Sequence, residues 1–517
     1  MAARHKARQK NSRERKVCPQ SQRMGAPSRA LPPRRAAAIQ TFETFRTPFV
    51  EAIKQPGRNA PKRTSAKTSA AKRAESCPFW RLIACVFLPF AAGYYLSYLF
   101  RTINTLIAGR LASDLGLGAA DVGLLTSIYF LVVMAAQIPV GMLLDRFGPR
   151  RVQSVLLAVA AGGAALFGLS TGFLSLLFAR AIVGLGSAAA LMSGLKIIVL
   201  WFPRERMALI NGYMIMLGSL GAVTATAPAE ALLDWIGWRG LFGVLAAASA
   251  LAAILIYLVV PERTTGPQRS RTPATLKTVY SDARFWRMAP LSATCVGSAW
   301  ALQSLWAAPW LSDVERLDRM TLVNELFVMA VALSLGAVVL GVLANWVRRR
   351  AKKIEALFGL VAAMLIVAEL VLVLHPPWPS LLPWCVVSVA GSATALAYAM
   401  IADYFPAELV ARANGGLNVL QFGWAFVVQY GTGLILEQWP LEAGHYPLTA
   451  YQTAFGVNVL LQVAALVWFA AVPWLERRKR TVGTSVTRQP AGGWNSVEAV
   501  IRPAELAILE ADDHAEW

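Results

Sequence analysis

Charge is scarce in this chain. Of 517 residues, 15% are Asp, Glu, Lys or Arg, 56% are hydrophobic, and the mean hydropathy is +0.49. A soluble protein of this length needs far more polar surface, so the composition excludes a water-soluble globule and points to lipid as the solvent. Cysteine is rare too. The five residues Cys18, Cys77, Cys85, Cys295 and Cys385 show no CxxC or other paired spacing, which argues against a disulfide framework and a thiolate metal site. Four histidines (His5, His375, His445, His514) scatter over tails and loops without ligand spacing. No Ser/His/Asp order, metal-ligand cluster or phosphate-cradling loop is present, so an enzyme reading has no support and no cofactor is expected. An ATP-driven pump would need a nucleotide-binding domain. Energy for any transport must therefore come from a gradient.

Basic residues are what the sequence has in excess, 50 against 29 acidic, for a net charge of +21. Residues 1–80 alone hold 19 Lys/Arg and 4 Asp/Glu. Because this excess lies outside the apolar body, it does not argue for nucleic acid. Residues 1–79, rich in Arg, Lys, Ala, Ser and Pro, read as a disordered tail. With no apolar core near the start, the tail is not a secretory signal. Its composition fits an organelle transit peptide or a translation start set too far upstream, Met24 being a later candidate.

From Trp80 onward, apolar stretches of bilayer-spanning length follow one another. Twelve segments are expected: 82–107, 120–144, 152–170, 174–200, 207–230, 238–260, 288–310, 322–346, 355–374, 380–402, 413–436 and 450–474. The longest polar connection, 261–287, separates two halves, 80–260 and 288–474, and a tail covers 475–517. With the first segment running outward, 43 of the 50 Lys/Arg fall on the cytoplasmic side and four (Arg110, Arg239, Arg316, Arg319) on the outer side. Positive residues stay inside, so both termini are expected in the cytoplasm and the protein in the bacterial inner membrane.

The chain repeats itself. WFPRERMALING at 201–212 returns as YFPAELVARANG at 404–415, and GMLLDRFGPRR at 141–151 corresponds to GVLANWVRRRA at 341–351. Each pair occupies the same place in its half, as expected of two homologous six-helix bundles around a pseudo-two-fold axis. Pro203 and Pro406 stop one helix, and the residues after them start the next.

On these motifs the chain resembles the major facilitator superfamily. The family's Gly-x-x-x-Asp-Arg-x-Gly-x-Arg-Arg loop between segments 2 and 3 is met by Gly141, Asp145, Arg146, Gly148, Arg150 and Arg151. Its Arg-x-x-x-Gly-x-Gly pattern in segment 4 is met by Arg180, Gly184 and Gly186. The resemblance implies an all-α membrane protein of twelve transmembrane helices that works as a secondary transporter. It also implies a gate in which Asp145 meets the N-terminus of segment 11. Gly141 should let helices approach closely, and the arginines should pair with Glu205 and Glu408, closing the cytoplasmic side. Arg150 and Arg151 have a second reading as topology signals alone. In the second half Asn345 replaces the aspartate, so that latch should be weaker and the halves unequal. The drug-antiporter pattern of segment 5 is not met: the chain reads GSLGAVTATAP.

At about 100° per residue, Tyr94, Tyr98, Arg101 and Thr105 share one face of segment 1, flanked by Ser97 and Asn104. An arginine inside a membrane helix costs about 2.5–3.5 kcal/mol and is normally retained for a cavity or a partner. Snorkelling to the headgroups is the other reading for Arg101; the aligned tyrosines and Asn104 favour a cavity wall. Arg180 has a structural reading as well, and Lys196 has a snorkelling one. The carboxylates Asp121, Glu230, Asp234, Glu325, Asp403 and Glu437 sit near segment ends, leaving mid-membrane positions without negative charge. The cavity is therefore expected to be positive and to select anions. In the second half Trp300, Gln303, Tyr398, Asn418 and Gln421 are candidate ligand contacts, with interhelical bonding as the competing role.

A monomeric transporter of a small organic anion such as a carboxylate is the leading reading; a proton is the candidate coupling ion, with an end-located acid, a histidine-free relay or the substrate's own carboxylate left open as its carrier. An exporter of drugs or amphiphiles, using Trp300, Trp306, Trp424 and the tyrosines, is the alternative. A membrane sensor that binds without translocating ranks third.

Overall fold

A computed structural model describes residues 79–203, 206–262, 276–350 and 353–486. Residues 1–78 of the expected basic tail, 263–275 of the 261–287 linker and 487–517 of the C-terminal tail lie outside these residues. Each predicted segment is met by helix. We label them α1 (Phe79–Leu115), α2 (Ala119–Phe147), α3 (Pro149–Leu169), α4 (Phe173–Trp201), α5 (Met207–Thr224) and α6 (Ala227–Val259) in the first half. The second half holds α7 (283–313), α8 (Arg319–Arg349), α9 (Ile354–Leu374), α10 (Leu381–Tyr404), α11 (Ala407–Leu436) and α12 (Leu448–Val486). Among the described residues ten helices are long and apolar enough to cross a membrane, and Ile210–Thr224 is a shorter apolar one. The remaining segment, α7, carries a π-helical turn at Leu302–Trp306.

Local chemistry sets the boundaries. Asp282 and Asp318 cap α7 and α8 by accepting from backbone N–H groups two and three residues on. Gly116, in the left-handed region (φ 67°), closes α1. One boundary differs from expectation. The crossing predicted at 207–230 breaks at Ala225–Thr226, and the helix that follows turns again at Gly237 (φ 67°, ψ 174°). Residues 227–236 thus continue the fifth crossing, and Trp238 opens the sixth, as the 238–260 prediction required.

The repeat is visible in the backbone. Phe202 and Phe405 end α4 and α10 in the same extended conformation (φ −109°, ψ 146° and φ −118°, ψ 145°). Each donates its N–H to an isoleucine carbonyl four residues back, Ile198 and Ile401, at 3.0 Å. Both helices also loosen once in mid-course, α4 after Ser187 and α10 after Gly391.

Lipid tails are as apolar as leucine, so helices in a bilayer are held by close packing and hydrogen bonds rather than by water exclusion. Gly184 and Gly186 show this. A Cβ on Gly184 would stand 3.0 Å from the Tyr129 carbonyl of α2, and one on Gly186 would collide with the Ala160 backbone of α3. The glycine pattern of segment 4 is therefore a packing device. The expectation for Gly141 is not met: a Cβ there meets nothing within 4 Å. Gly148 has a conformational role instead, turning the chain at φ 80° so that Pro149 can start α3.

α2 lies along α11, α5 along α8 and α1 along α7, and these seams join the halves.

Candidate functional site

Between the halves lies a cavity walled by helices of both. α1 supplies Tyr94, Ser97, Tyr98 and Arg101 to its wall, as the helical period predicted. Tyr94 and Tyr98 meet edge to face with centroids 5.3 Å apart. The Arg101 guanidinium carbon sits 3.9 Å from the Tyr98 ring centre and 4.9 Å from that of Trp300, so one cation is held between aromatic faces of both halves. Arg101 is buried, and its Nη2 has no hydrogen-bond partner. No carboxylate appears among the lining residues.

Facing Arg101 is a neutral polar wall. The Tyr398 hydroxyl donates to Asn418 Oδ1 at 2.6 Å, and Asn418 Nδ2 reaches Gln137 Oε1 at 3.5 Å, across the halves. The Trp300 indole donates to the Gly391 carbonyl at 2.9 Å, where α10 loosens. Ser187 beside the break in α4, and Ser392 and Thr394 at the break in α10, also line the cavity. Irregular backbone at this depth is tolerated because it borders a cavity rather than lipid.

Six of the predicted contacts, Tyr94, Tyr98, Arg101, Trp300, Tyr398 and Asn418, line the cavity. The other five do not. Arg180 is fully buried behind the wall, 4.9 Å from the Tyr129 ring. With its amide turned to offer oxygen, Asn104 accepts from Arg180 Nε and Nη2 at 3.2 Å, so these groups bond to each other within the first half, while Arg180 Nη1 is buried without a partner. Lys196 reaches Asp145 at 2.6 Å and the Leu144 carbonyl at 2.8 Å. Gln421 donates to Ser292 at 2.9 Å on the α7 side. Gln303 lines a smaller void beyond the cavity, with Thr102, Thr105 and Thr226. Tyr129, Gln137 and Ser187 line the cavity although the sequence did not single them out; a helical-face search of α2 would have raised the first two.

Another correction concerns negative charge. Glu369 of α9 is fully buried, accepting from Asn458 Nδ2 and Gln462 Nε2 at 2.7 Å each. It places a carboxyl group inside α9 with no exposure, against the expectation that acids sit near segment ends.

Beyond the cavity, at the end opposite the basic loops, the halves are tied together. Arg319 of α8 grips Glu230 of the first half with two bonds, at 2.8 and 2.7 Å, and donates to the Leu106 carbonyl at 2.9 Å. Arg110 adds bonds to Glu230 and Asp234. Glu437 accepts from the Ala120 N–H at the start of α2, and Thr105 donates to the Gln303 carbonyl. At the basic end, by contrast, the ion pairs described stay within one half. Asp145 pairs with Lys196 of α4, and none of its described contacts is with the start of α11. Arg151 and Arg150 pair with Glu262, at 2.7 and 3.9 Å. Arg146 lies over Phe147. Glu205 and the side chain of Glu408, the expected partners, lie outside what is described. With the halves joined at the far end, the arginines take the acid of their own half.

Comparisons with known proteins bear on this arrangement. A model of the Major Facilitator Superfamily matches residues 90–428. A protein of Escherichia coli K12 named "Probable L-galactonate transporter" is 29% identical over 34% of this chain and 39% of its own length. The "Probable sulfoacetate transporter SauU" of Cupriavidus necator is 27% identical over 32% of this chain and 38% of its own. The chain thus matches under two fifths of the length of these relatives. In fold it is similar to a bacterial homologue of the human lysosomal transporter Spinster, solved inward-facing and unoccupied. That likeness has a TM-score of 0.60 at 19% identity and covers 76% of this chain and 97% of that one.

Proposed function

The chain belongs to the major facilitator superfamily, a family of membrane transporters, and from that premise we propose that it moves a small organic anion, such as a carboxylate, by alternating access. One observation carries the choice of substrate: Arg101 lines the cavity with an unpartnered Nη2, and no acid lines the cavity with it. A guanidinium in a low-dielectric pocket attracts a carboxylate and can hold it by a charge-assisted hydrogen bond. The neutral amides and hydroxyls of Gln137, Tyr398 and Asn418 would orient the rest of the ligand. The names of the two relatives, a sugar acid and a sulfonated acid transporter, accord with this chemistry. The basic end is assigned to the cytoplasm by its arginines, so the described state is closed to the outside. A monomer suffices, because one chain supplies every wall of the cavity.

The test is uptake into proteoliposomes of a labelled panel that includes L-galactonate, sulfoacetate and simple carboxylates. Saturable uptake of an anion by the native protein, lost in Arg101→Ala, is the expected result. Unchanged saturable uptake in Arg101→Ala would remove the site assignment. The aromatic wall, with Tyr94, Tyr98, Tyr129, Trp300 and Phe422, supports export of amphiphiles as the second reading. Protection of a susceptible strain against cationic toxic compounds, without any anion transport, would select it.

A further inference from the structure

Glu369 plays no part in the cavity just described. It lies in α9, fully buried, and its two oxygens each accept from an amide of α12, Asn458 and Gln462. No cation is among its described partners. Cys295 of α7 is the titratable side chain that interacts with it electrostatically. The other helices packed against α9, namely α8, α10 and α12, present no charged group to it among the described contacts.

The surroundings suit both protonation states. Burial without a cation weighs against the charged form, whereas two N–H donors weigh for it. The Gln462 Oε1 is buried without a donor. If that amide turned over, Oε1 would accept from a protonated Glu369, and the group would stay satisfied after gaining its proton. A permanent charge would have no need of such an acceptor.

The site is also wired to the cavity. Asn458 Oδ1 accepts from Ser298 of α7 at 2.9 Å, and Ser298 accepts from the Trp424 indole of α11 at 2.9 Å. Two residues beyond Ser298 is Trp300, whose ring faces Arg101. Just after it comes the π-helical turn Leu302–Trp306, whose Gln303 carbonyl accepts from Thr105 across the halves. α7 therefore connects the buried acid, through Asn458, with the cavity wall and the far-end closure.

We propose that Glu369 is a proton-binding site outside the central cavity. By taking up and releasing one proton, it changes the hold of Asn458 on Ser298 and so biases the position of α7. The step is a simple acid–base one: a proton from water forms an O–H bond on the carboxylate, and the reverse step returns it to water. Its purpose rests on the transport reading, but proton binding can be measured with no substrate, so the two can fail separately.

The experiment is an infrared pH titration of the full-length protein in detergent, following the carbonyl stretch of protonated carboxyl groups. Native protein should show a titrating band that Glu369→Gln, checked for folding by its melting curve, loses. Asn458→Leu removes one N–H donor from the carboxylate and should move the midpoint of that band to higher pH. A band that persists unchanged in Glu369→Gln overturns the proposal, as does an unmoved midpoint in Asn458→Leu. For the coupling, spin labels on Ser113→Cys and Met320→Cys, with the native cysteines other than buried Cys295 replaced by serine, report the gap between the halves at their closed end. A pH-dependent distance that disappears in Glu369→Gln is expected. A distance that ignores pH in the native background, or responds equally in the variant, overturns the link to α7.

Discussion

At Arg101 the guanidinium plane meets two aromatic rings, Tyr98 at 3.9 Å and Trp300 at 4.9 Å. A lysine would keep the charge but lose the planar stacking and the fork of donors. Arg101→Lys should therefore raise the half-saturation concentration for the anion roughly tenfold, equivalent to about 1.4 kcal/mol, measured as initial uptake rates in proteoliposomes. Asn104 acts differently, because its partner is another buried residue. Asn104→Ala removes the hydrogen bonds to Arg180 and should destabilise the protein by about 1–3 kcal/mol, read as a lower melting temperature in detergent while residual anion uptake stays saturable. The two residues looked alike in the sequence, polar and three positions apart on one helix. Arg101 faces the gap between the halves, and Asn104 faces α4 within its own half.

Among the elements, α4 and α10 carry the clearest correspondence between sequence and structure. Their shared ending, the Phe-Pro joint, was legible because proline and an extended aromatic residue stop a helix by local sterics. Their shared loosening, after Ser187 and Gly391, was not legible, since neither proline nor a conspicuous polar run marks it. The glycines of α4 were legible as a pattern but not as a contact. Gly184→Val should drive branched carbons into the Tyr129 backbone of α2 and destabilise the bundle by about 1–3 kcal/mol, measured as a fall in melting temperature and in the yield of monodisperse protein. Gly141→Ala, with open space around its Cβ, should leave both unchanged.

For the whole molecule, the distribution of bonds between the halves determines which state is described. Among the described residues, Arg319 and Glu230 form the ion pair that crosses between the halves, at the end away from the basic loops. Arg319→Ala removes that pair and the bond to the Leu106 carbonyl, leaving closure at this end to Thr105 and Glu437. The population should shift toward opening there. A thiol reagent should then modify a cysteine introduced at Gln303 at least about tenfold faster than in the native background, about 1.4 kcal/mol of population shift. Unaltered reactivity would mean that the pair contributes nothing to closure.

The sequence by itself determined the solvent, the number of helical segments and the duplication. These follow from hydropathy over some twenty residues and from proline and glycine chemistry, which act locally whatever the neighbours do. It also determined one face of the site, Tyr94, Tyr98 and Arg101, since helical periodicity alone aligns them. Only the tertiary structure decided which polar groups reach the cavity and which bond to a neighbouring helix. Lys196, Arg180, Gln421 and Glu369 each bond to residues far away in the chain, and a buried polar group takes whichever partner the packing brings within about 3 Å. The pairing of Asp145 with Lys196 and of Arg151 with Glu262 was decided in the same way, by the partners that packing within the first half brings together.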